Sequence, residues 1–470
     1  MSDARAARSW RLRALGVLLA IPLAGCSARG EAPLAPPSSE TTRIDAVHDA
    51  LGLPPPGTVW AGAAKVDITP SGPAYLAGFS PGRRSTGVHD PLYARCTYLD
   101  DGATPLVLVV LDLVGFLHRD VVDARRRITT RYPASVIVAS THVHAAPDTL
   151  GLWGPGWLVP VASGIDPAYI ERVESGIAEC AASAARAARP ATAELARAEA
   201  PSQLSYNVHE AERPALAAAK DDELTILRWR DANGAGIATI VGWACHPEAL
   251  GRDNTLVTAD YPGVLNRELE ARLGGTSMLV NGALGGLVTV RTPEQGPTGF
   301  ALAEHVGGTV ADVVTRALSA AGAATWAPRG ERFAAVSRET LVPFDNGWWR
   351  FFRWLGLLDV ALDDAGRATT EVTAWRAGPT TWLTVPGELF PSLGADYKGK
   401  LTTPFRFLIG LGQDELGYIL DPREFEDDLY SYEQMMSPGP QTATVLGASV
   451  DGVLEALAGE TETAPPGEAP

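Results

Sequence analysis

The chain has 470 residues, 46% of them hydrophobic and 20% charged, which excludes a disordered chain and describes a globular one. Its formal net charge of −16 argues against nucleic acid as a partner. The length accommodates one large α/β domain.

In chain order, residues 1–25 read as a bacterial lipoprotein signal and are set aside from the fold. Arg5, Arg8, Arg11 and Arg13 precede the apolar run 14–23, and Leu23-Ala24-Gly25-Cys26 has the form of a lipobox. Lipid on Cys26 would tether the chain to a membrane surface. The expectation is an exported lipoprotein on the periplasmic or cell-surface face of a bacterial membrane. Residues 26–57, rich in Pro, Ser, Ala and Glu, read as a flexible linker. Residues 58–458 read as the folded domain, and 459–470 as a disordered tail. No later segment is long and apolar enough to span a bilayer. Cys96, Cys180 and Cys245 are odd in number and match no zinc ribbon; they read as small buried residues rather than a disulfide framework.

Strand-like and helix-like segments alternate through the domain. "TPLVLVVLDL" (104–113) reads as a buried strand and 117–132 as a helix stopped before Pro133. A strand then runs into His142. Asp166-Pro167 reads as the N-cap and first turn of a helix that stops before Pro190. Residues 223–230 and 236–246 read as strands joined at Asn233-Gly234. A helix over 261–275, a strand over 277–286 running into glycines, and a helix over 302–322 follow. "TWLTVPGEL" (381–389) and "FRFLIGLGQDELGY" (405–418) read as strands followed by loops. This order predicts an α/β fold: largely buried mixed sheets flanked by helices, in a single large domain.

Reactive groups in such sheets sit beyond strand ends. The strand before residue 142 delivers His142 and His144. On strand alternation these share a face, roughly 6–7 Å apart. The next strand ends deliver His246 with Pro247 and Glu248, then Glu388 on a Pro-Gly turn, then Asp414, Glu415 and Tyr418. Imidazole nitrogen mixed with carboxylate oxygen suits Zn²⁺, and two His with one Glu leave a position open for water. The expected chemistry is metal-assisted hydrolysis through an activated water. Any one of these histidines taken singly reads more readily as a structural residue at a strand end. The chain contains neither H-E-x-x-H nor G-x-S-x-G.

Seven stretches together resemble the neutral/alkaline non-lysosomal ceramidase family: "AGAAKVDITP" (61–70), "TGVHDPLYAR" (86–95), "STHVHAAPD" (140–148), "GWACHPEAL" (242–250), "VTADYPG" (257–263), "VPGEL" (385–389) and "GYILDPREFE" (417–426). They keep the family's order. The resemblance implies a zinc amidohydrolase acting on the N-acyl bond of ceramide or a similar lipid-like substrate. It implies His142, His246 and Glu388 as metal ligands, with Tyr418 as the fourth ligand or a catalytic phenol and Glu415 as its alternative. His144 becomes a catalytic neighbour that contacts substrate or the reacting oxygen. The sequence also departs from the family. "GALGGLVTV" replaces a Gly-Asp-Val-Ser-Pro-like turn, leaving Thr289 as the nearest hydroxyl. Val208-His209 stands where the family has two arginines. The expectation is the catalytic domain alone, without a C-terminal immunoglobulin-like domain. A non-catalytic lipoprotein that binds a lipid or glycan, and a metal hydrolase for another acyl ester or amide, are the competing readings. No protein partner is predicted.

Asp112 and Asp260 read either as groups that orient a histidine ligand or as turn and N-cap aspartates. His89 and Asp90 read as cleft neighbours or as a polar turn. "WWRFFRW" (348–354) reads as an apolar lip for an acyl chain or a membrane, or as a core element. "GLWGPGWL" (151–158) reads as a wall of the substrate cleft.

Overall fold

The computed structural model describes residues 54, 57–128, 134–156, 160–328, 331–358 and 360–462. The signal segment with Cys26, most of the linker, Trp157-Leu158 and the tail beyond Glu462 lie outside the described residues.

Eight strands build the main sheet: β1 (Trp60–Asp67), β2 (Tyr93–Asp100), β3 (Leu106–Leu111), β4 (Ser135–Ser140), β5 (Arg189–Glu199), β6 (Glu223–Asp231), β7 (Gly236–Trp243) and β8 (Thr276–Asn281). Their order is β8-β7-β6-β5-β1-β2-β3-β4, and a ninth, β9 (Ala324–Trp326), pairs with β5. The inner pairs are antiparallel, but both outermost pairs, β3–β4 and β7–β8, are parallel. A parallel pair needs a crossover. Helix α1 (His118–Arg127) supplies the first; α2 (Pro167–Arg186) follows β4, α3 (Asp260–Leu273) supplies the second crossover, and α4 (Phe300–Ser319) packs beside it. The carboxyl ends of both parallel pairs are where the candidate histidines emerge.

A strand buried on both faces reads as an unbroken apolar run, and "LVLVVL" of β3 is buried throughout. Val107, Val109 and Leu111 share a core with Val173, Ile177 and Ala181 of α2. Leu106, Leu108 and Val110 face the other way, against Trp375, Trp382 and Phe407 of a second sheet. That sheet comprises β10 (Ala334–Pro343), β11 (Arg367–Ala377), β12 (Thr380–Thr384) and β14 (Phe405–Ile409), in the order β10-β11-β12-β14. Helix α5 (Gly347–Trp354) lies between β10 and β11 in sequence. A two-residue strand β13 (Glu388–Leu389) pairs in parallel with β15 (Tyr418–Ile419). The helices that follow include α6 (Ser431–Met435) and α7 (Thr442–Glu462). Leu446, Val450, Val453 and Leu457 of α7 cover the outer face of the second sheet. The result is four layers: helices, main sheet, second sheet, helix.

The α/β class with mixed sheets and flanking helices is as expected. The Asp166 N-cap also stands, its carboxylate accepting from the Ala168 N–H at 2.9 Å. The helix expected over 117–132 ends at Arg127. The sequence reading assigned no element to 442–462, where α7 runs past Gly459 into the segment expected to be disordered. Cys96 of β2 and Cys180 of α2 are not isolated thiols: they form a disulfide, Cα to Cα 5.8 Å, because helix and strand pack face to face. Parity leaves Cys245, free and buried. No helix among the described residues is long and apolar enough to cross a membrane.

Candidate metal centre

Strand β4 stops at Ser140, and His142 sits at φ 66°. Left-handed backbone in a non-glycine residue is costly and concentrates at functional sites. Alternation along a strand is therefore not what pairs the histidines; a turn does. It brings the His142 and His144 rings closer than the strand geometry implied, centroids 4.8 Å apart and nearly perpendicular. The His246 ring lies 4.9 Å from His142.

Backbone carbonyls fix the imidazoles of His142 and His246. His142 Nδ1 lies 2.6 Å from the Val114 oxygen, and His246 Nδ1 3.0 Å from that of Val288. Each Nδ1–H donates there, which turns Nε2 inward as the ligand atom. Both Nε2 atoms converge on one oxygen: Glu388 Oε2 is 3.4 Å from His142 and 3.0 Å from His246. Ligand atoms of a tetrahedral ion with bonds of about 2.0–2.1 Å stand roughly 3.3 Å apart, so these three groups fit one divalent cation. His142, His144 and His246 also form a group able to hold a metal, but their ligand atoms spread over as much as 4.8 Å. The His144 ring stands farther from His246 than the His142 ring does, 5.7 Å between centroids. Burial resists ionisation of Glu388, yet the two histidines overcome it and hold its pKa far below the usual carboxylate range. His246 is buried too, but Glu388 and Glu248 outweigh that and raise its pKa. The cluster favours a positive charge at its centre.

Glu388 comes from β13, whose register sets Glu388 beside Tyr418 on β15. Partners in register project to the same face, so both side chains reach the same pocket. Glu415 also lines that pocket. Its Oε1 accepts from the Gly417 N–H at 3.0 Å, while Oε2 is buried without a partner. Burial, reinforced by the Glu388 charge, pushes both the Glu415 carboxyl and the Tyr418 phenol well up. The glycine-rich turn after β8 supports this strand pair: the Gly285 N–H donates to the Leu389 carbonyl at 2.8 Å, and a Cβ on Gly285 would lie 2.5 Å from the Glu388 carbonyl.

His144 has a different neighbour. Its Nδ1 lies 3.0 Å from Glu248 Oε1. Thr289 Oγ1 donates to the other Glu248 oxygen at 2.7 Å. Burial drives the His144 pKa down to about 4 against the pull of Glu248, leaving a neutral imidazole. Glu248 is ionised at about 2: its burial is outweighed by the histidines and the Thr289 hydroxyl. A Cβ on Gly78, φ 101°, would meet His144 Cγ at 2.2 Å, so only glycine lets the loop lie flat on this ring. Sequence reasoning placed Glu248 at the same strand end as His246 but gave it no role. It also missed Asn281, fully buried at the end of β8. The Asn281 amide donates to the Thr141 carbonyl and accepts from the Cys245 N–H, clamping the two histidine-bearing segments together.

Asp112 and Asp260 take the structural roles. Asp112 Oδ2 accepts from the Tyr93 N–H at 2.9 Å beside Arg95, and Oδ1 has no hydrogen-bond partner. Asp260 opens α3 and accepts from the N–H groups of Tyr261 and Leu250. Carbonyls, not these carboxylates, orient His142 and His246. His89 and Asp90 line a separate cavity with Tyr93, Asp260 and Glu270. His209 pairs with the buried Glu433, Nε2 to Oε1 2.6 Å.

His142, His144, Glu388, Glu415 and Tyr418 line a narrow pocket with room of about 40 Å³ for water-sized molecules, and His246 lies buried behind them. Leu150, Leu152, Trp153, Trp349, Leu358 and Met436 wall it, and Tyr432 stands at its side. A layered α/β scaffold with such a cluster at its strand ends, under an apolar cleft, defines a hydrolase of the ceramidase fold with a centre able to hold a metal. The family model for the N-terminal part of neutral/alkaline non-lysosomal ceramidases matches residues 60–298. The chain belongs to that family. Among solved structures it is similar to the neutral ceramidase from Pseudomonas aeruginosa: TM-score 0.69 at 16% identity, covering 88% of this chain and 76% of that one. A ceramidase described as complexed with C2 matches with TM-score 0.68 at 16% identity, over 86% of this chain and 76% of that one. At such identity the structures speak to the fold alone.

Proposed function

We propose that this protein is a zinc-dependent hydrolase that cleaves the N-acyl (amide) bond of a lipid-like substrate. The observation that carries the reading is the convergence of His142 Nε2 and His246 Nε2 on Glu388 Oε2 at the floor of an apolar-walled pocket. His142, His246 and Glu388 would hold the ion, with Tyr418 beside them as fourth ligand or as a phenol donor to developing charge. Bound Zn²⁺ would polarise an acyl carbonyl and lower the pKa of a water towards 7. His144, neutral and with a free Nε2, is suited to take a proton from the attacking oxygen and return it to the leaving amine. Glu248 faces its other nitrogen and favours the tautomer with Nδ1 protonated. The apolar wall receives the acyl chain and excludes water. The Cys96–Cys180 disulfide supports export, since disulfides persist in oxidising compartments; anchoring through Cys26 belongs to this proposal.

The test is metal analysis of the purified protein, followed by N-acyl sphingosine and other acyl amides or esters offered with and without chelator. About one zinc per chain, with cleavage abolished by chelator and restored by Zn²⁺, is the expected result. Metal loss in His142→Ala and Glu388→Gln assigns the ligands. Bound metal with no cleavage of any acyl substrate points to the non-catalytic binding protein instead. Cleavage indifferent to chelator points to a hydroxyl nucleophile such as Thr289.

A further inference from the structure

The segment "WWRFFRW" folds as α5, and its two sides meet different surroundings. Trp349 is buried and lines the pocket, its indole N–H donating to the Met435 carbonyl at 3.1 Å. Trp348, Phe351, Trp354 and Leu355 turn outward and are 49%, 45%, 72% and 41% exposed. Four large apolar side chains in one short stretch make a contiguous patch of the kind that marks an interaction surface. The helix is held rigidly. Asn346 caps it by accepting from the Trp348 N–H, and its amide donates to the carbonyls of Gln434, Met435 and Ser437 around α6. Helix α6 carries Tyr432, half exposed at the same pocket. Helix α5 thus stands beside the cleft, with its Trp349 and the Tyr432 of α6 both lining it.

Charge indicates what covers it. Arg350 and Arg353 lie exposed on the same helix, and neither is paired with a carboxylate among the described residues. In a chain of net charge −16, a local cluster of aromatics and unpaired guanidinium groups suits an apolar layer edged with negative headgroups. We propose that the outer face of α5 is a membrane-docking surface, which seats the cleft on a bilayer containing anionic phospholipid. The aromatic rings would sit at the headgroup–acyl boundary, and the two arginines at phosphate level. This stands without the hydrolase reading, because its readout is binding to lipid alone.

The full chain carrying Cys26→Ala, so that no acyl group at Cys26 contributes, is sedimented with phosphatidylcholine vesicles with and without phosphatidylglycerol. The expected result is cosedimentation that strengthens with phosphatidylglycerol. In Trp348→Ser/Phe351→Ser/Trp354→Ser it should fall at least fivefold, with an unchanged thermal melt. Arg350→Ala/Arg353→Ala should keep residual binding but lose most of the phosphatidylglycerol dependence. Equal binding of parent and triple variant, or no binding by the parent, overturns the proposal. So does a parent that self-associates in light scattering and becomes monomeric in the triple variant, since a second copy would then be the occupant.

Discussion

His144 shows how burial sets chemistry at the scale of one residue. Its pKa lies near 4, so it is a neutral base well below the pH at which an exposed histidine protonates. A cation held by its neighbours would disfavour its protonation further. The acid limb of kcat/KM, which reports groups of the free enzyme, should therefore fall towards pH 4 and not near 6.5. A limb at 6.5 would mean that His144 is solvated or not the base. Gly78 is its counterpart: a methyl group there would strike the ring at 2.2 Å. Gly78→Ala should lower kcat by about 10²-fold, the scale of an ångström misplacement, while zinc content stays at the parent level. Lost zinc would show that His144 is a ligand instead.

At the scale of elements, the site depends on loops that leave five strand ends and are tied to one another. Asn281 links the segments before His142 and before His246, and Gly285 sits tightly on the Glu388 strand. Asn281→Ala would strand a buried N–H and a buried carbonyl, each costing about 1–3 kcal/mol. The melting temperature should fall and metal affinity with it, measured by calorimetry and by zinc titration; an unchanged affinity would show that the clamp is only structural. These ties explain which parts of the site could be read beforehand. His142, His246 and Glu388 stand at predictable strand ends, and the family motifs mark them. Asn281 and Glu248 bond across 36 to 140 and 41 residues of chain, and no local pattern announces such partners. Asp112 and Asp260 illustrate the reverse: both stand beside strand or helix ends, yet backbone N–H groups claim their oxygens.

Among the described residues two large sheets press together with helices outside, and one covalent tie spans β2 and α2. The Cys96–Cys180 bridge closes 84 residues of chain. Loop-closure entropy gives such a link about 2–5 kcal/mol. Cys96→Ala/Cys180→Ala, or reductant, should lower the urea midpoint accordingly without changing the fold; an unaltered midpoint would mean that the bridge does not form in solution.

By itself the sequence determined the local elements, since apolar runs, turn residues and the Asp166 cap act over a few neighbours. It also determined the α/β class and, through the motifs at strand ends, the family and the identity of the clustered histidines. The tertiary structure decided what depends on distant chain coming together. It set the turn at His142, the second sheet packed on the first, the disulfide that parity had argued against, and the Glu248 carboxylate beside His144. It also turned one face of α5 into the pocket and the other towards solvent. Packing between segments far apart in sequence has no signature in either segment alone.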